Sequence, residues 1–494
     1  MSLIQVKHLI FGYEGSYETL FDDVSLMFDT TFHTALIGRN AKGKTTFLKI
    51  LLGKLDYQGE VIKSETCEYF PFEVKNQDDD TWDVCLDIIP TLEQWKLEKE
   101  LRLLNIDIGD VLYRPFSTLS QGEQTKVLLA LLFLKERCFL LIDEPTNHLD
   151  QQSRRFVARY LKKQKGFLLV SHDRFFIDQC CDHVIAMNRN SLEVVKGNFS
   201  SWYNNKKQND EREKAQNKKL KKDIVRLEKS RRQSQDWANR VEKTKNGQRV
   251  SGLRPDRGYI GHKSAKMMKR SQNIERHRNL AIQKKEALLK DVEDIEDLKM
   301  CSLAYHQFLY LSLSHVKLFY PDQVICENLS FSLRKGDRLL LRGANGSGKS
   351  SVIALILQQG ILYEGDLMIG PHLKISYVPQ DCSDLRGRLD QLIDRYDVDQ
   401  TLVKTILRKF DFARDDFSKK CEYLSQGQKK KVMLAISLAC PAHLYIWDEP
   451  LNYIDIYSRI QLEKLILEYQ PTLLFIEHDH MFQEKVATKI IDFM

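Results

Sequence analysis

The sequence predicts an α/β chain: two similar modules in tandem, joined by a long α-helical hairpin. Three observations predict it. Five short motifs occur twice, in the same order and at nearly the same spacing. Short, wholly apolar segments alternate with helix-patterned ones in both halves, as buried parallel strands require. Between the halves lies a strongly basic stretch whose apolar residues fall at helical spacing.

The first motif set is GRNAKGKT (Gly38 to Thr45), LSQGE (Leu119 to Glu123), FLLIDEP (Phe139 to Pro145), NHLD (Asn147 to Asp150) and SHD (Ser171 to Asp173). The second is GANGSGKS (Gly343 to Ser350), LSQGQ (Leu424 to Gln428), YIWDEP (Tyr445 to Pro450), NYID (Asn452 to Asp455) and EHD (Glu477 to Asp479). Gly38 to Leu119 and Gly343 to Leu424 are both 81 positions; Leu119 to Glu144 and Leu424 to Glu449 are both 25. One phosphate loop can arise by chance. Two matched sets at an offset of 305 mean a duplicated ATPase module.

Residues 1–203 form the first module. Strand patterning at Leu3 to Val6, Ser25 to Phe28 and Thr34 to Ile37 leads into the phosphate loop, and a helix starts at Lys44. Residues 75–135 read mostly helical. Phe139 to Ile142 and Phe167 to Val170 are short apolar strands ending at Asp143-Glu144 and near His172. Ligands bind at the C-terminal ends of such strands. Residues 301–494 repeat the plan, and 204–300 link the two.

The linker reads as two helices of about 35 residues, each roughly 50 Å long, with a turn near 246–263. Leu220, Ile224 and Leu227 make one narrow stripe; Leu288, Val292 and Ile295 make the other. Gly247, Gly252, Pro255, Gly258 and Gly261 break the helix between them. Residues 204–290 hold 27 Lys and Arg against 10 Asp and Glu, so a +17 insert joins modules that share −10 of the net +7. That points to a polyanion held by the middle of the chain.

Other features narrow the class. No apolar run approaches the roughly 20 residues of a membrane span; the longest is Val127 to Leu134. MSLIQVKHLIFGY opens with strand-like alternation, unlike a signal peptide. Ten cysteines with no CxxC pair fit a reducing cytosol and no structural metal.

In a phosphate loop, consecutive backbone N–H groups wrap phosphates at a helix N-terminus. The candidates are Gly38, Asn40, Gly43, Lys44, Thr45 and Thr46, then Gly343, Asn345, Gly346, Gly348, Lys349, Ser350 and Ser351. Lys44 and Lys349 would reach the β- and γ-phosphates, and Thr45 and Ser350 the Mg²⁺. Asp143 and Asp448 would hold the metal's shell. Glu144 and Glu449 would polarise the attacking water, with His172 and His478 on the γ-phosphate.

LSQGE and LSQGQ resemble the signature of ABC-type ATPases. The resemblance implies an α/β fold of two tandem ABC-type P-loop ATPase domains joined by a long α-helical hairpin linker. It implies that each signature covers the ATP of the other module: Ser425 and Gly427 over Lys44, Ser120 and Gly122 over Lys349. Tyr13 and Tyr320 match the position that stacks on adenine, with ordinary strand aromatics as the alternative. Two departures stand out. The family's Gln for Mg²⁺ and water is Gln380 in SYVPQ, but Phe72 stands there in EYFPF. Ala41 replaces the glycine found at Gly346, at about 1 kcal/mol if φ is positive. The first site is therefore expected to be the slower.

Two ABC modules joined by a basic hairpin resemble the ABC-F family of translation factors, over the whole chain. EPTNHLD, WDEPLNYID, the block Ser251 to Arg270 and the ending at Met494 are similar to its antibiotic-resistance branch, of Lsa type. This implies a cytoplasmic, monomeric factor with ATP and Mg²⁺ as cofactors. Its partner would be the 70S ribosome, with 23S rRNA and the tRNA in the peptidyl site, and no membrane or DNA. It would protect against lincosamides, streptogramin A and pleuromutilins. Arg249, Leu253, Arg254, Arg257, Tyr259 and Lys263 are the candidate RNA or drug-site contacts at the hairpin tip. Basic residues there give salt-sensitive attraction to phosphate, and Tyr259 can stack on a base. A housekeeping ABC-F factor shares every ATP motif. An exporter's ATPase subunit would need a membrane partner, and DNA-repair relatives carry zinc cysteines or longer coiled coils.

Overall fold

The structure is a computed structural model and describes residues 2–13, 19–40, 42–147, 149–187, 192–243, 269, 276, 298–320 and 323–493. The chain divides into two compact units, residues 1–202 with 295–494, and residues 203–294.

The first unit holds both modules. In the first module, the strands Thr66–Phe70, Cys138–Asp143, Phe167–Val170, His33–Ile37 and His183–Met187 lie parallel in that order, and Leu192–Lys196 closes the edge antiparallel. In the second, Ile375–Val378, Leu444–Asp448, Leu473–Ile476, Arg338–Arg342 and Lys489–Asp492 repeat the parallel order. The central strands are apolar without alternation because both faces of the sheet are covered. Phe139 to Ile142 and Leu473 to Ile476 are all buried.

One face carries the phosphate-loop helix. Phe47, Leu48 and Leu51 of Lys44–Leu52 pack on Leu36, Leu141 and Leu168. Beyond that helix lies a three-stranded antiparallel sheet of Leu3–Phe11, Phe21–Asp29 and Gln58–Lys63. The other face carries the helix that follows the signature. Leu434 and Leu438 of Gln426–Ala439 share a core with Trp447 and Phe475. A truncation such as Leu434→Ala would cost about 2–5 kcal/mol and tilt the signature.

The helix Phe199–Lys243 begins in the first unit and continues into the second; it runs 45 residues, longer than the stripe alone suggested, because it starts on Phe199 and Trp202, whose tilted rings lie 5.6 Å apart. Ile224 is buried while Val225 beside it is exposed, as a narrow stripe requires. The rest of the hairpin, including Leu288, Val292, Ile295 and the tip residues Arg249, Leu253, Arg254, Arg257, Tyr259 and Lys263, lies outside the described residues.

Candidate functional site

Each phosphate loop turns into its helix at a glycine with positive φ, Gly43 at 92° and Gly348 at 89°. A side chain there would meet Leu20 and Phe21 in the first module and Ile325 in the second. Gly346 has φ 79° with open space around it, so its backbone conformation alone calls for glycine; its counterpart Ala41 lies outside the described residues. The lysines close back on their own loops. Lys44 Nζ donates to the carbonyls of Gly38 (2.8 Å) and Arg39 (3.0 Å). Lys349 Nζ donates to those of Gly343 (3.0 Å) and Ala344 (2.6 Å). Each loop thus keeps a cation at its mouth beside the N-terminus of a helix. Tyr13 is half exposed, and its hydroxyl lies 2.8 Å from Thr46 Oγ1. Tyr320 ends the strand Leu309–Tyr320, with its side chain outside the described residues.

Asp143 and Asp448 end their strands beside Val170 and Ile476. Thr45 donates to Asp143 Oδ2 at 2.8 Å and Tyr69 donates to the same oxygen at 3.0 Å. Ser350 lies close enough to Asp448 to favour its charged form. Burial pushes both aspartates up, Asp448 to about 6. Glu144 and Glu449 follow with φ of 48° and 45°, uncommon for non-glycine residues. Their N–H groups bond Val170 O (2.8 Å) and Ile476 O (3.0 Å), which holds that turn. Strain of this kind gathers where a side chain must point into a site.

The two glutamates differ. Burial first, then the Asp143 carboxylate, pushes Glu144 up to about 8. Burial also opposes charge on Glu449, but the neighbouring His478, the Asn452 amide that donates to it and the nearby Gln380 outweigh burial and hold it at about 2. The surroundings thus favour the charged carboxylate at Glu449 and disfavour it at Glu144. His172 Nε2 lies 3.3 Å from Glu144 and His478 Nε2 3.6 Å from Glu449. Burial, then the Lys44 and Arg459 charges, holds His172 well below its ordinary value.

The modules meet face to face around both loops. At the second loop they enclose a cavity of about 720 Å³, within the usual range for small-molecule sites. Ser120 and Gly122 line it from the first module. Asn345, Gly346, Gly348, Lys349, Ser350 and Ser351 line it from the second, with Gln380, Glu449 and His478. At the first loop the modules touch directly. Asn40 Nδ2 donates to Tyr453 O at 2.9 Å. A side chain on Gly427 would run into that same carbonyl at 2.6 Å. Arg39 pairs with Asp411 and lies over the Tyr457 ring at 5.3 Å. Ser425 and Ser120 cap their helices in reciprocal boxes with Gln428 and Glu123.

The residues suit a magnesium nucleotide. Asp448 Oδ1 is buried with no hydrogen-bond partner, and Ser347 Oγ likewise. A lone buried carboxylate oxygen is a natural ligand for a hard cation. Among the described residues, no cluster of three or more His, Cys, Asp or Glu forms a metal site by itself.

A duplicated parallel sheet whose loop and signature face each other across two sites defines a class. The chain belongs to the family described as ABC transporter, which matches residues 21–147 and 326–452, just over half of it. It is an ABC-F ATPase with two such domains, and it binds and hydrolyses ATP. It is similar to the ribosome protection protein VmlR of Bacillus subtilis strain 168, 26% identical over 96% of this chain and 84% of that protein. The energy-dependent translational throttle protein EttA of Escherichia coli O6:H1 is 26% identical over 95% and 88%. The erythromycin resistance ATP-binding protein MsrA of Staphylococcus epidermidis is 26% identical over 92% and 90%. Among solved structures, an archaeal ribosome recycling factor in complex with a ribosomal stalk protein superposes with a TM-score of 0.63 at 18% identity, covering 98% of this chain and 87% of that one, and shares the fold. No helix among the described residues is long and apolar enough to cross a membrane.

Several site residues escaped the sequence reading. Asn452 bonds Glu449, and Tyr69 bonds Asp143. Lys126, Asp150, Ser153 and Arg154 line the second cavity. Asn452 and Asp150 sit inside motifs already in view, which was signal enough. Arg39 carried none, because its partners Asp411 and Tyr457 belong to the other module. Phe72, at the place of the glutamine, lies under the Lys135 ammonium at 4.8 Å.

Proposed function

We propose that the chain is an ATP-dependent ribosomal protection factor. It would enter the exit-tRNA site of the 70S ribosome and use its linker tip to dislodge lincosamides, streptogramin A and pleuromutilins from the peptidyl-transferase centre, beside 23S rRNA and the peptidyl-site tRNA. The observation that carries this reading is the +17 insert between two ATP-clamping modules, in a chain similar throughout to proteins named for ribosome protection and drug resistance. The likeness to a translational throttle protein favours a second reading, a housekeeping translation factor.

In the proposed cycle, ATP is held between Lys44 and Ser425-Gly427, and between Lys349 and Ser120-Gly122. Tyr13 and Tyr320 stack on adenine. Thr45 and Asp143, and Ser350, Asp448 and Gln380, would hold Mg²⁺. That ion would neutralise charge on the phosphoryl group. Glu449 orients water and takes its proton, as its ionised carboxylate allows, while Gln380 and Asn452 fix its position. His478 donates towards the γ-phosphate; Glu144 and His172 serve the first site. Closing on ATP yields the ribosome-binding form, and hydrolysis reopens it. Reversing a 1:99 preference takes about 5.5 kcal/mol of differential binding, which two shared nucleotides can supply.

The test is cell-free translation inhibited by lincomycin or tiamulin, with purified protein titrated in. Rescue, lost when residues 249–260 are replaced by a short Gly-Ser turn, is the expected outcome. Ribosome binding and ATP hydrolysis without rescue would sink it in favour of the housekeeping factor.

A further inference from the structure

The second module contains a buried lysine that the ATP motifs leave unused. Lys430 lies in the helix Gln426–Ala439, five residues after Ser425, and is 2% exposed. Its ammonium donates to three backbone carbonyls: Pro379 at 2.7 Å, Gln380 at 3.2 Å and Asp448 at 3.1 Å. An ammonium has three N–H donors, so all are committed. Two of those carbonyls belong to the segment bearing Gln380, and the third to the strand end bearing Asp448 and, next to it, Glu449. A single cation therefore ties together the two segments whose side chains, Gln380 and Glu449, both line the second site's cavity.

Burying an ammonium without a carboxylate bonded to it is costly. Burial holds Lys430 below its ordinary value, against the pull of Asp448, Glu477 and Glu449. A methionine would fill the space at less cost, so the charge needs a reason beyond packing. The first module supplies the contrast. Thr125 holds the equivalent position, and its hydroxyl bonds only back to Gln121 O of its own helix, at 2.8 Å. Phe72 replaces the glutamine there. The brace and the residue it would brace are present together in one module and absent together in the other.

We infer that Lys430 is a positioning residue for ATP hydrolysis at the second site, holding the Gln380 segment in register with Asp448 and Glu449. The inference rests on the reading of Glu449 as the water-orienting group. It predicts an effect on turnover and not on nucleotide affinity, because Lys430 faces the backbone behind the site and is not among the residues lining the cavity. It also predicts that Lys430 acts through Gln380.

The experiment uses the full chain with Glu144→Gln, so that turnover reports the second site. Lys430→Met and Gln380→Ala should each slow hydrolysis about ten-fold, the scale of a misplaced reacting group. For Lys430→Met the dissociation constant of a fluorescent ATP analogue should stay within about two-fold, as expected for loss of a purely transition-state effect. The double variant should be no slower than Gln380→Ala alone, since paired residues are not additive. Near-normal turnover in Lys430→Met, or losses that multiply in the double variant, would overturn the inference. If Lys430→Met fails to fold, seen as lost analogue binding, the reverse transfer decides. In a Glu449→Gln chain, Phe72→Gln with Thr125→Lys should outpace Phe72→Gln alone several-fold, and equal rates would overturn it. Failure of the Glu449 reading would show separately, as second-site turnover that survives Glu449→Gln.

Discussion

The two ATP sites share motifs, backbone turns and strand order, yet they are held in different ways. At the second, four signature residues, Ser120 to Glu123, face the loop across a cavity of about 720 Å³. There Gln380, Asn452 and His478 surround a glutamate held at about 2. At the first, Arg39 and Asn40 reach across to the other module directly, and the glutamate is pushed up to about 8. The substitutions responsible are few. Arg39 faces Asp411 and Tyr457, while the matching positions of the other site carry Ala344, Asn105 and Gln152. Asn105 and Asp411 both end their helices at positive φ, 55° and 56°, so the backbones agree and only the side chains differ. The difference predicts that the second site carries most of the turnover while the first contributes more to holding the modules together. A fold that duplicates its motifs can divide these tasks without changing its architecture.

The largest expected effect tests that division at its centre. Glu449→Gln should remove most steady-state ATP hydrolysis, on the order of a hundred-fold, as losing a general base does. Glu144→Gln should remove only a minor share. Equal losses in the two single variants, measured as phosphate release, would abolish the comparison.

Next in size is the asymmetry of the module contact. Arg174 opens a helix in the first module and pairs with Glu463 and Asp479 of the second, all three buried. Its counterpart His480 stacks on Phe175 at 4.6 Å, and Ala158 stands opposite where Glu463 would be. Arg174→Ala should cost about 2–3 kcal/mol in urea unfolding, less than a fully orphaned ion because Lys485 and Arg459 remain. His480→Ala should cost under about 1 kcal/mol. The pH dependence has a sign. Burial opposes the Asp479 charge, but Arg174 and Arg459 hold it below its ordinary value. Its contribution is therefore present above the ordinary carboxylate range and fades as the pH falls through the depressed value. Without Arg174 that value rises, so acid unfolding should begin at higher pH. An unchanged acid midpoint would mean that Arg174 does not set it.

Arg39→Ala comes third. The pair with Asp411 is partly exposed, so with the Tyr457 contact it is worth about 1 kcal/mol. Nucleotide trapped at the first site should leave roughly five-fold faster by stopped-flow chase, with release from the second unchanged. Equal acceleration at both sites would show that Arg39 acts on the whole clamp.

Much of this was legible before the structure. Strand ends at Asp143 and Asp448, helix starts at Lys44 and Lys349, and the loop glycines follow from short motifs whose backbone chemistry is local. The absent glutamine at Phe72 was also visible, because motif order places it. The cross-module contacts were not. Arg39 with Asp411 and Arg174 with Glu463 join residues far apart in sequence, and no periodicity encodes which surfaces meet. The length of Phe199–Lys243 was underestimated for a related reason: its first turn is set by the burial of Phe199 and Trp202, not by the charged pattern that follows.

The smallest expected effect concerns the signatures themselves. Ser120 donates its hydroxyl to Glu123 Oε2 at 2.8 Å. Ser425 accepts from the Gln428 N–H at 3.2 Å, and Gln428 turns its amide to Asp416. The signature that faces the second cavity therefore carries a carboxylate, partly offset by Arg114 at 3.4 Å. A nucleotide phosphate there meets a like charge, and the serine must release its hydrogen from Glu123 before it can donate elsewhere. Glu123→Gln makes the two signatures alike. Half-exposed charges interact weakly through water, so the gain should be a few tenths of a kcal/mol, about a two-fold tighter fit of ATP at the second site. It should shrink as salt is raised from 0.05 to 0.5 M, since screening acts on the charge but not on the hydrogen bond. A gain independent of salt would assign the effect to the serine hydroxyl, and no gain would mean that Arg114 already neutralises Glu123.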